Sequence, residues 1–266
     1  MADTVDFLGP ILERKRREVL RRRMHGVRAG GAALEERGAA AVARLRRAGA
    51  ALPRVIAELK LASPSAGVIR SRTPGVIAAI AAGYERGGAA AISVQCDAPG
   101  FGGSPLDVRR AAAVTRVPLL FKEFVLDPLQ VELARALGAS MVLLLVRALD
   151  AQALAALVEE VLRQGMAPVV EAADEDELEM ALMTRATIVG VNARDLRSFT
   201  VDPARARRAV GRIPPERVAV HMSGVASASD LADLSGSRAD AVLVGEGLMR
   251  ASDPGERLRE WLARAR

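Results

Sequence analysis

Cysteine, histidine and aromatic residues are scarce in this chain: one Cys, two His, one Trp, one Tyr and five Phe in 266 residues. The single Cys96 excludes an internal disulfide framework. One cysteine beside two histidines also supplies no metal-ligand cluster, so no metal is expected. A reducing, cytoplasmic setting is the expectation. No uninterrupted apolar stretch reaches the ~20 residues that a membrane span needs. The opening Met1-Ala-Asp-Thr-Val-Asp-Phe-Leu8 lacks the basic region and apolar run of a secretory leader. The expected protein has no membrane partner.

Basic side chains are plentiful. The formal charge is +6, with clusters at Arg14-Lys-Arg-Arg17 and Arg21-Arg-Arg23. Stacking on single-stranded nucleic acid needs aromatic platforms, and none accompanies these clusters. Leu8, Ile11, Leu12, Val19 and Leu20 instead form an interrupted apolar stripe, which makes the arginines the solvated side of an amphipathic N-terminal helix. No nucleic-acid partner is expected. The positive charge can still steer a polyanionic small substrate.

Half of the residues are hydrophobic, and eight short apolar runs recur along the chain. These are Val55–Lys60, Ala90–Gln95, Pro118–Lys122, Met141–Arg147, Pro168–Glu171, Thr187–Asn192, Val218–His221 and Ala241–Gly245. Runs this short and this rich in Val, Ile and Leu predict parallel strands buried on both faces. Helix-like segments separate them. Thr73-Pro-Gly-Val76 and Asp127-Pro128 read as helix starts, Asp150 and Asp174 as N-caps, and Gly138 and Gly165 as helix ends. The predicted fold is α/β, a (β/α)8 TIM barrel with extra N-terminal helices. A single barrel domain spans 1–266, with 1–52 a helical extension that caps part of it.

In such a barrel the active site lies at the carboxyl ends of the strands, where Glu58, Lys60, Lys122, Glu171 and Asn192 would converge. Residues two apart on a strand face the same side, so Glu58 and Lys60 enter the mouth together. A pair of this kind also serves as a structural ion pair at a barrel rim. Lys122 and Glu171 at two further strand ends favour one shared site. Asn192-Ala-Arg-Asp195 reads as a turn or as part of that site. Ser223-Gly224 and Gly245-Glu-Gly247 follow the seventh and eighth runs, where barrels build phosphate sites from backbone amides.

The run Val55-Ile-Ala-Glu-Leu-Lys-Leu-Ala-Ser-Pro-Ser-Ala-Gly67 resembles the first-strand signature of the indole-3-glycerol phosphate synthase family. Lys122-Glu-Phe124, Val170-Glu171, Gly190-Val-Asn-Ala-Arg-Asp-Leu196, Ser223-Gly224 and Val242-Leu-Val-Gly-Glu-Gly-Leu-Met249 extend the likeness in the family's order. The resemblance implies a carboxy-lyase of tryptophan biosynthesis. It would close 1-(2-carboxyphenylamino)-1-deoxyribulose 5-phosphate to indole-3-glycerol phosphate, with loss of CO2 and water and without a cofactor. It further implies a general-acid role for Lys122, a catalytic carboxylate at Glu171, and later proton transfers and substrate holding by Glu58 and Lys60. Asn192 would bond the reacting oxygens. Ser63, Phe124, Arg194, Ser223, Gly224, Gly245 and Glu246 would hold the sugar-phosphate substrate, with Arg194 near its carboxylate. The protomer would act as a monomer or homodimer.

Several positions depart from that pattern. Where the family usually reads Glu-Ser-Gly, this chain has Met222-Ser-Gly224, and a thioether cannot ionise. Glu123 stands for the usual Asp beside Lys122, and Val94-Gln-Cys-Asp97 replaces a run that usually carries Thr and Glu. Alternation makes His221 and Met222 face opposite ways, with Met222 expected in the mouth and His221 a structural residue. Cys96 is expected to pack. Three functions fit: the ordinary synthase, a ring-forming relative with an altered substrate, and a silent barrel kept as a binding partner. Retention of the five strand-end polar residues argues against the last.

Overall fold

The computed structural model describes residues 8–25, 36–49, 51–195 and 200–265. Each apolar run supplies one strand: β1 Arg54–Leu59, β2 Ala91–Gln95, β3 Leu119–Lys122, β4 Met141–Leu145, β5 Ala167–Ala172, β6 Ile188–Asn192, β7 Val218–Met222 and β8 Ala241–Val244. Every strand runs parallel to its successor, and β8 pairs with β1 to close the barrel. The fourth run ends sooner than expected, because Val146–Ala148 turn into a 3-10 helix. Arg147 there bonds Glu177 at 3.0 Å.

Strand alternation divides the core in two. Val55, Ala57 and Leu59 face the surrounding helices, whereas Ile56 joins Ala91, Leu120, Met141, Leu143, Val169, Ile188, Val220 and Leu243 inside the barrel. The inner set is packed apolar volume, as the architecture requires. The same parity carries polar side chains to the top. Counting by twos along each strand, the last inward positions are Glu58 with Lys60, Gln95, Lys122, Leu145, Glu171, Asn192, Met222 and Gly245.

The connecting helices start and stop largely where their end signals place them. Asp127, Asp150 and Asp174 each accept a backbone N–H in the first turn of Pro128–Ala136, Ala151–Arg163 and Glu175–Leu182. Gly138 and Gly165 adopt φ of +96° and +72° just past two helix ends, a conformation that costs glycine least. Pro74 is a correction. It precedes the helix Val76–Arg86 instead of opening it, and Gly75 in the left-handed region is the N-cap.

Among the described residues two helices precede the barrel, α1 Leu8–His25 and α2 Arg37–Leu45, and they sit at opposite ends of it. α2 closes the amino ends of the strands. Its Ala41 and Leu45 have no exposure and join the inner cluster, and burying a leucine contributes roughly 2 kcal/mol. Gly38 permits this approach, since a Cβ there would lie 2.5 Å from the carbonyl carbon of Met166. α1 flanks the mouth, where Leu12 shares the inner cluster with Phe124.

The basic run on α1 differs from its sequence reading. Arg16, Arg17, Arg21 and Arg23 are exposed as expected, but Arg14 and Lys15 turn inward. Lys15 is buried, with Nζ 3.2 Å from Asp97 and 3.1 Å from Glu123, and Arg14 reaches Asp97 at 2.9 Å. Two carboxylates from the loops after β2 and β3 therefore decide which face of α1 is solvated. Among the described residues, no helix is long and apolar enough to cross a membrane.

Candidate active site

The open end of the barrel forms a cavity of about 100 Å³ that opens to solvent. Its walls include all five residues expected to carry the chemistry: Glu58, Lys60, Lys122, Glu171 and Asn192. Glu58 and Lys60 form the pair that strand parity predicts, with Lys60 Nζ 2.9 Å from Glu58 Oε2. Across the mouth, Lys122 Nζ lies 3.1 Å from Glu171 Oε2. Asn192 donates from Nδ2 to Glu171 Oε1 at 2.8 Å, while its own Oδ1 accepts the Arg194 backbone N–H at 3.0 Å. That second bond fixes which way the amide points.

Electrostatics keep Lys122 and Glu58 charged. Burial would lower the Lys122 ammonium, but the Glu171 and Glu58 carboxylates and the hydrogen bond to Glu171 outweigh it, so its pKa lies above the ordinary lysine value. Burial would likewise raise Glu58. Lys60 and Lys122, with hydrogen bonds from Lys60 and Gln95, reverse this and hold it below the usual carboxylate value. Lys122 is thus a protonated donor, with a proton that the carboxylates hold more firmly. The buried Tyr84 hydroxyl donates to the Glu58 carbonyl at 3.1 Å and pins the end of β1 from the helix layer.

The expected binding residues divide into two groups. Ser63, Phe124, Arg194, Ser223 and Glu246 line the mouth, whereas Gly224 and Gly245 stand just behind it. Ser63 belongs to a short hairpin, Ala62–Ser63 with Gly67–Val68, and its Oγ accepts the Ala66 N–H at 3.1 Å. Ser223 has φ +66° and Gly224 +80°, so the backbone after β7 makes a left-handed turn at the cavity edge. The loops after β7 and β8 touch, because a Cβ on Gly247 would lie 3.1 Å from Ala226 O. Glu246 at the second loop turns its carboxylate to Arg250 at 2.7 Å. Gly245 makes room for chemistry: a Cβ there would fall 2.5 Å from Glu58 Oε2.

Met222 faces the mouth and His221 faces the helices, as alternation predicts. Met222 spreads over Gly190, where a Cβ would lie 2.3 Å from its Cε. His221 is buried. Burial, then the Arg207 charge, depress its pKa from 6.5 to about 4, against a weaker upward pull from a backbone hydrogen bond to Ser223. Cys96 is buried, and its thiol is pushed well up by burial, which suits packing and not nucleophilic work. Among the described residues, no group of three or more His, Cys, Asp or Glu is placed to hold a metal ion.

Sequence reasoning passed over an apolar side to this mouth. Phe101, on the four-residue helix Ala98–Phe101, lies 6.4 Å from Phe124 between ring centroids, and Leu143 and Leu145 continue the wall. The scarcity of aromatics was the available signal, since two of the five Phe meet here. Gln95 was visible as the polar end of the second run, yet its link to Glu58 crosses between strands. A bowl results, with two carboxylate–ammonium pairs, an apolar wall and a glycine-bearing rim.

Comparison with known proteins agrees with this geometry. The family model described as indole-3-glycerol phosphate synthase matches residues 9–261. An "Indole-3-glycerol phosphate synthase 2" of Streptomyces coelicolor is 43% identical over 217 residues, covering 82% of this chain and 82% of the relative. An "Indole-3-glycerol phosphate synthase" of Aromatoleum aromaticum is 42% identical over 205 residues, covering 77% and 78%. Among solved structures, a 3-hexulose-6-phosphate synthase superimposes with a TM-score of 0.60 at 16% identity, covering 79% of this chain and 98% of that one. That likeness speaks for the barrel alone. With the family match running through nearly the whole chain, this chain belongs to the indole-3-glycerol phosphate synthase family.

Proposed function

We propose that this chain converts 1-(2-carboxyphenylamino)-1-deoxyribulose 5-phosphate to indole-3-glycerol phosphate, releasing CO2 and water. The observation that carries the reading is the pair of carboxylate–ammonium contacts facing one another across the mouth. Ring closure needs a proton delivered to the ribulose carbonyl oxygen as the aryl carbon attacks. Loss of CO2 restores the ring, and dehydration then needs a second acid and a base. Lys122, protonated and 3.1 Å from Glu171, is the acid for the carbonyl oxygen, with Asn192 orienting Glu171 and the reacting oxygens. Glu171 serves as the base. Lys60 and Glu58 form the second acid–base pair for the later transfers.

The remaining walls suit the other parts of the substrate. Phe101, Phe124, Leu143 and Leu145 offer an apolar face to an aryl ring, and Arg194 offers a planar fork to its carboxylate. Ser223 and the backbone around Gly224 and Gly245 take the phosphate. The protein acts in the cytoplasm on a diffusing small molecule, as a monomer or homodimer, without nucleic acid. Residues 1–266 form one barrel domain whose first 52 residues are its helical extension.

One observation favours a second reading. Met222 places an apolar side chain where the family usually carries a carboxylate, which suits a ring-forming relative with an altered aryl or sugar-phosphate substrate. Incubating the purified protein with the carboxyphenylamino-deoxyribulose phosphate and following indole fluorescence separates the two. Turnover that disappears in Lys122→Ala establishes the ordinary reaction. A folded but inactive wild type, with activity gained in Met222→Glu, points to the altered substrate.

A further inference from the structure

Glu171 is held in a specific way: an ammonium on one oxygen and a carboxamide N–H on the other. Glu58 has the same arrangement. Lys60 occupies its Oε2 at 2.9 Å, and Gln95 donates from Nε2 to its Oε1 at 3.3 Å. Gln95 is the last inward residue of β2, is 7% exposed, and shares a wall with the mouth. On the side of Oε2, Gly245 leaves the carboxylate its room, since a Cβ there would lie 2.5 Å from that oxygen.

We infer that Gln95 is a positioning residue for Glu58, matching across the barrel the part that Asn192 plays for Glu171. The inference rests on the proposed reading that Glu58 takes part in proton transfer. A carboxylate that must exchange a proton needs a fixed orientation and a stable charge between steps, and a donor on its far oxygen supplies both. The amide is suited to this because it holds the anion without competing for the proton.

The surroundings leave few other groups for that part. The charges facing Glu58 are Lys60 beyond the end of its own strand and Lys122 from β3. Tyr84 from the helix layer bonds the Glu58 backbone carbonyl and not its carboxylate. From the loop after β8, Gly245 brings no charge, and the Glu246 carboxylate is turned to Arg250. Gln95 alone among the described residues supplies a neutral donor to this carboxylate.

The test is the pH dependence of ring closure in Gln95→Met, which keeps the side-chain length and loses the donor, beside Gln95→Asn, Gln95→Glu and Glu58→Gln. The acid limb of kcat/KM in Gln95→Met should move up by about half a pH unit to one unit. kcat should fall about tenfold with KM within about twofold, and the melting temperature should hold. Gln95→Glu, which sets two carboxylates together, should move the limb further. Gln95→Asn should recover part of the loss. A Gln95→Met profile superimposed on the wild type overturns the inference, and so does a raised KM with kcat unchanged. If Glu58→Gln turns over like the wild type, the reading of Glu58 fails and the inference falls with it. A crippled Glu58→Gln beside a normal Gln95→Met overturns the inference alone. Should activity in Gln95→Met be too low for a profile, carbon NMR of the Glu58 carboxyl gives the same answer, with an unmoved titration counting against it.

Discussion

Met222 and Gly190 occupy one space between them: the methionine lies where a side chain at Gly190 would otherwise project, 2.3 Å from Cε to the Cβ position. The floor of the mouth is therefore shaped by a pair on neighbouring strands, with Gly190 on β6 and Met222 on β7. Gly190→Ala should push Met222 upward into the cavity. KM should rise several-fold while stability falls by about 1 kcal/mol, the low end for overpacking. Steady-state kinetics and thermal melts check this, and the double variant Gly190→Ala with Met222→Ala should bring KM back toward the wild type.

Lys122→Ala should lower kcat by roughly 100-fold or more, the scale for a positioned general acid, while the barrel stays folded. Because the neighbouring carboxylates raise this lysine above its ordinary value of 10.5, it stays protonated through the alkaline range. The kcat/KM profile, which reports the free enzyme, should show no alkaline loss from Lys122 below about pH 10. An earlier loss abolished by Lys122→Arg would contradict that assignment.

Lys15→Met should destabilise the fold by about 3 kcal/mol, because it removes the cation beside the buried Glu123 carboxylate and leaves Asp97 with Arg14 alone. Chemical denaturation reads this directly. Adding Glu123→Gln to Lys15→Met should restore a good part of the loss, since the second change removes the stranded charge.

His221 makes stability depend on mildly acid pH. Its pKa in the folded chain is about 4, below the ordinary 6.5, so the unfolded chain takes up a proton first as the pH falls. Stability from this group is complete above about pH 6.5 and is lost as the pH drops toward 4, by up to roughly 3 kcal/mol. Between pH 6.5 and 4 the wild type should lose up to roughly 3 kcal/mol more than His221→Leu, which denaturation curves of both across that window would read. Parallel curves would exclude His221 as the cause.

Much of the site was readable because a strand has period two. Once the runs were aligned, the last inward residue of each named Glu58, Lys122, Glu171 and Asn192, and parity separated Met222 from His221. Helices gave up less. The solvated face of α1 could not be read from its arginines, because Asp97 and Glu123, far along the chain, draw Arg14 and Lys15 inward. Phe101 was hidden in a helix of four residues, too short for any periodicity. Gln95 carried a polar strand-end signal, but its partner sits on another strand, and pairing across strands has no signature in a single sequence.

The seam that closes the barrel runs beside Glu58, with Val55 opposite Val242 and Gly245 pressed against the carboxylate. The first strand to leave the ribosome therefore waits for the last before its acidic group is confined. Such long-range pairings form late, after the loop entropy of almost the whole chain has been overcome. A chain lacking the eighth strand leaves the Glu58 side of the barrel open. Full turnover thus reports that translation and ring closure of the polypeptide are both complete.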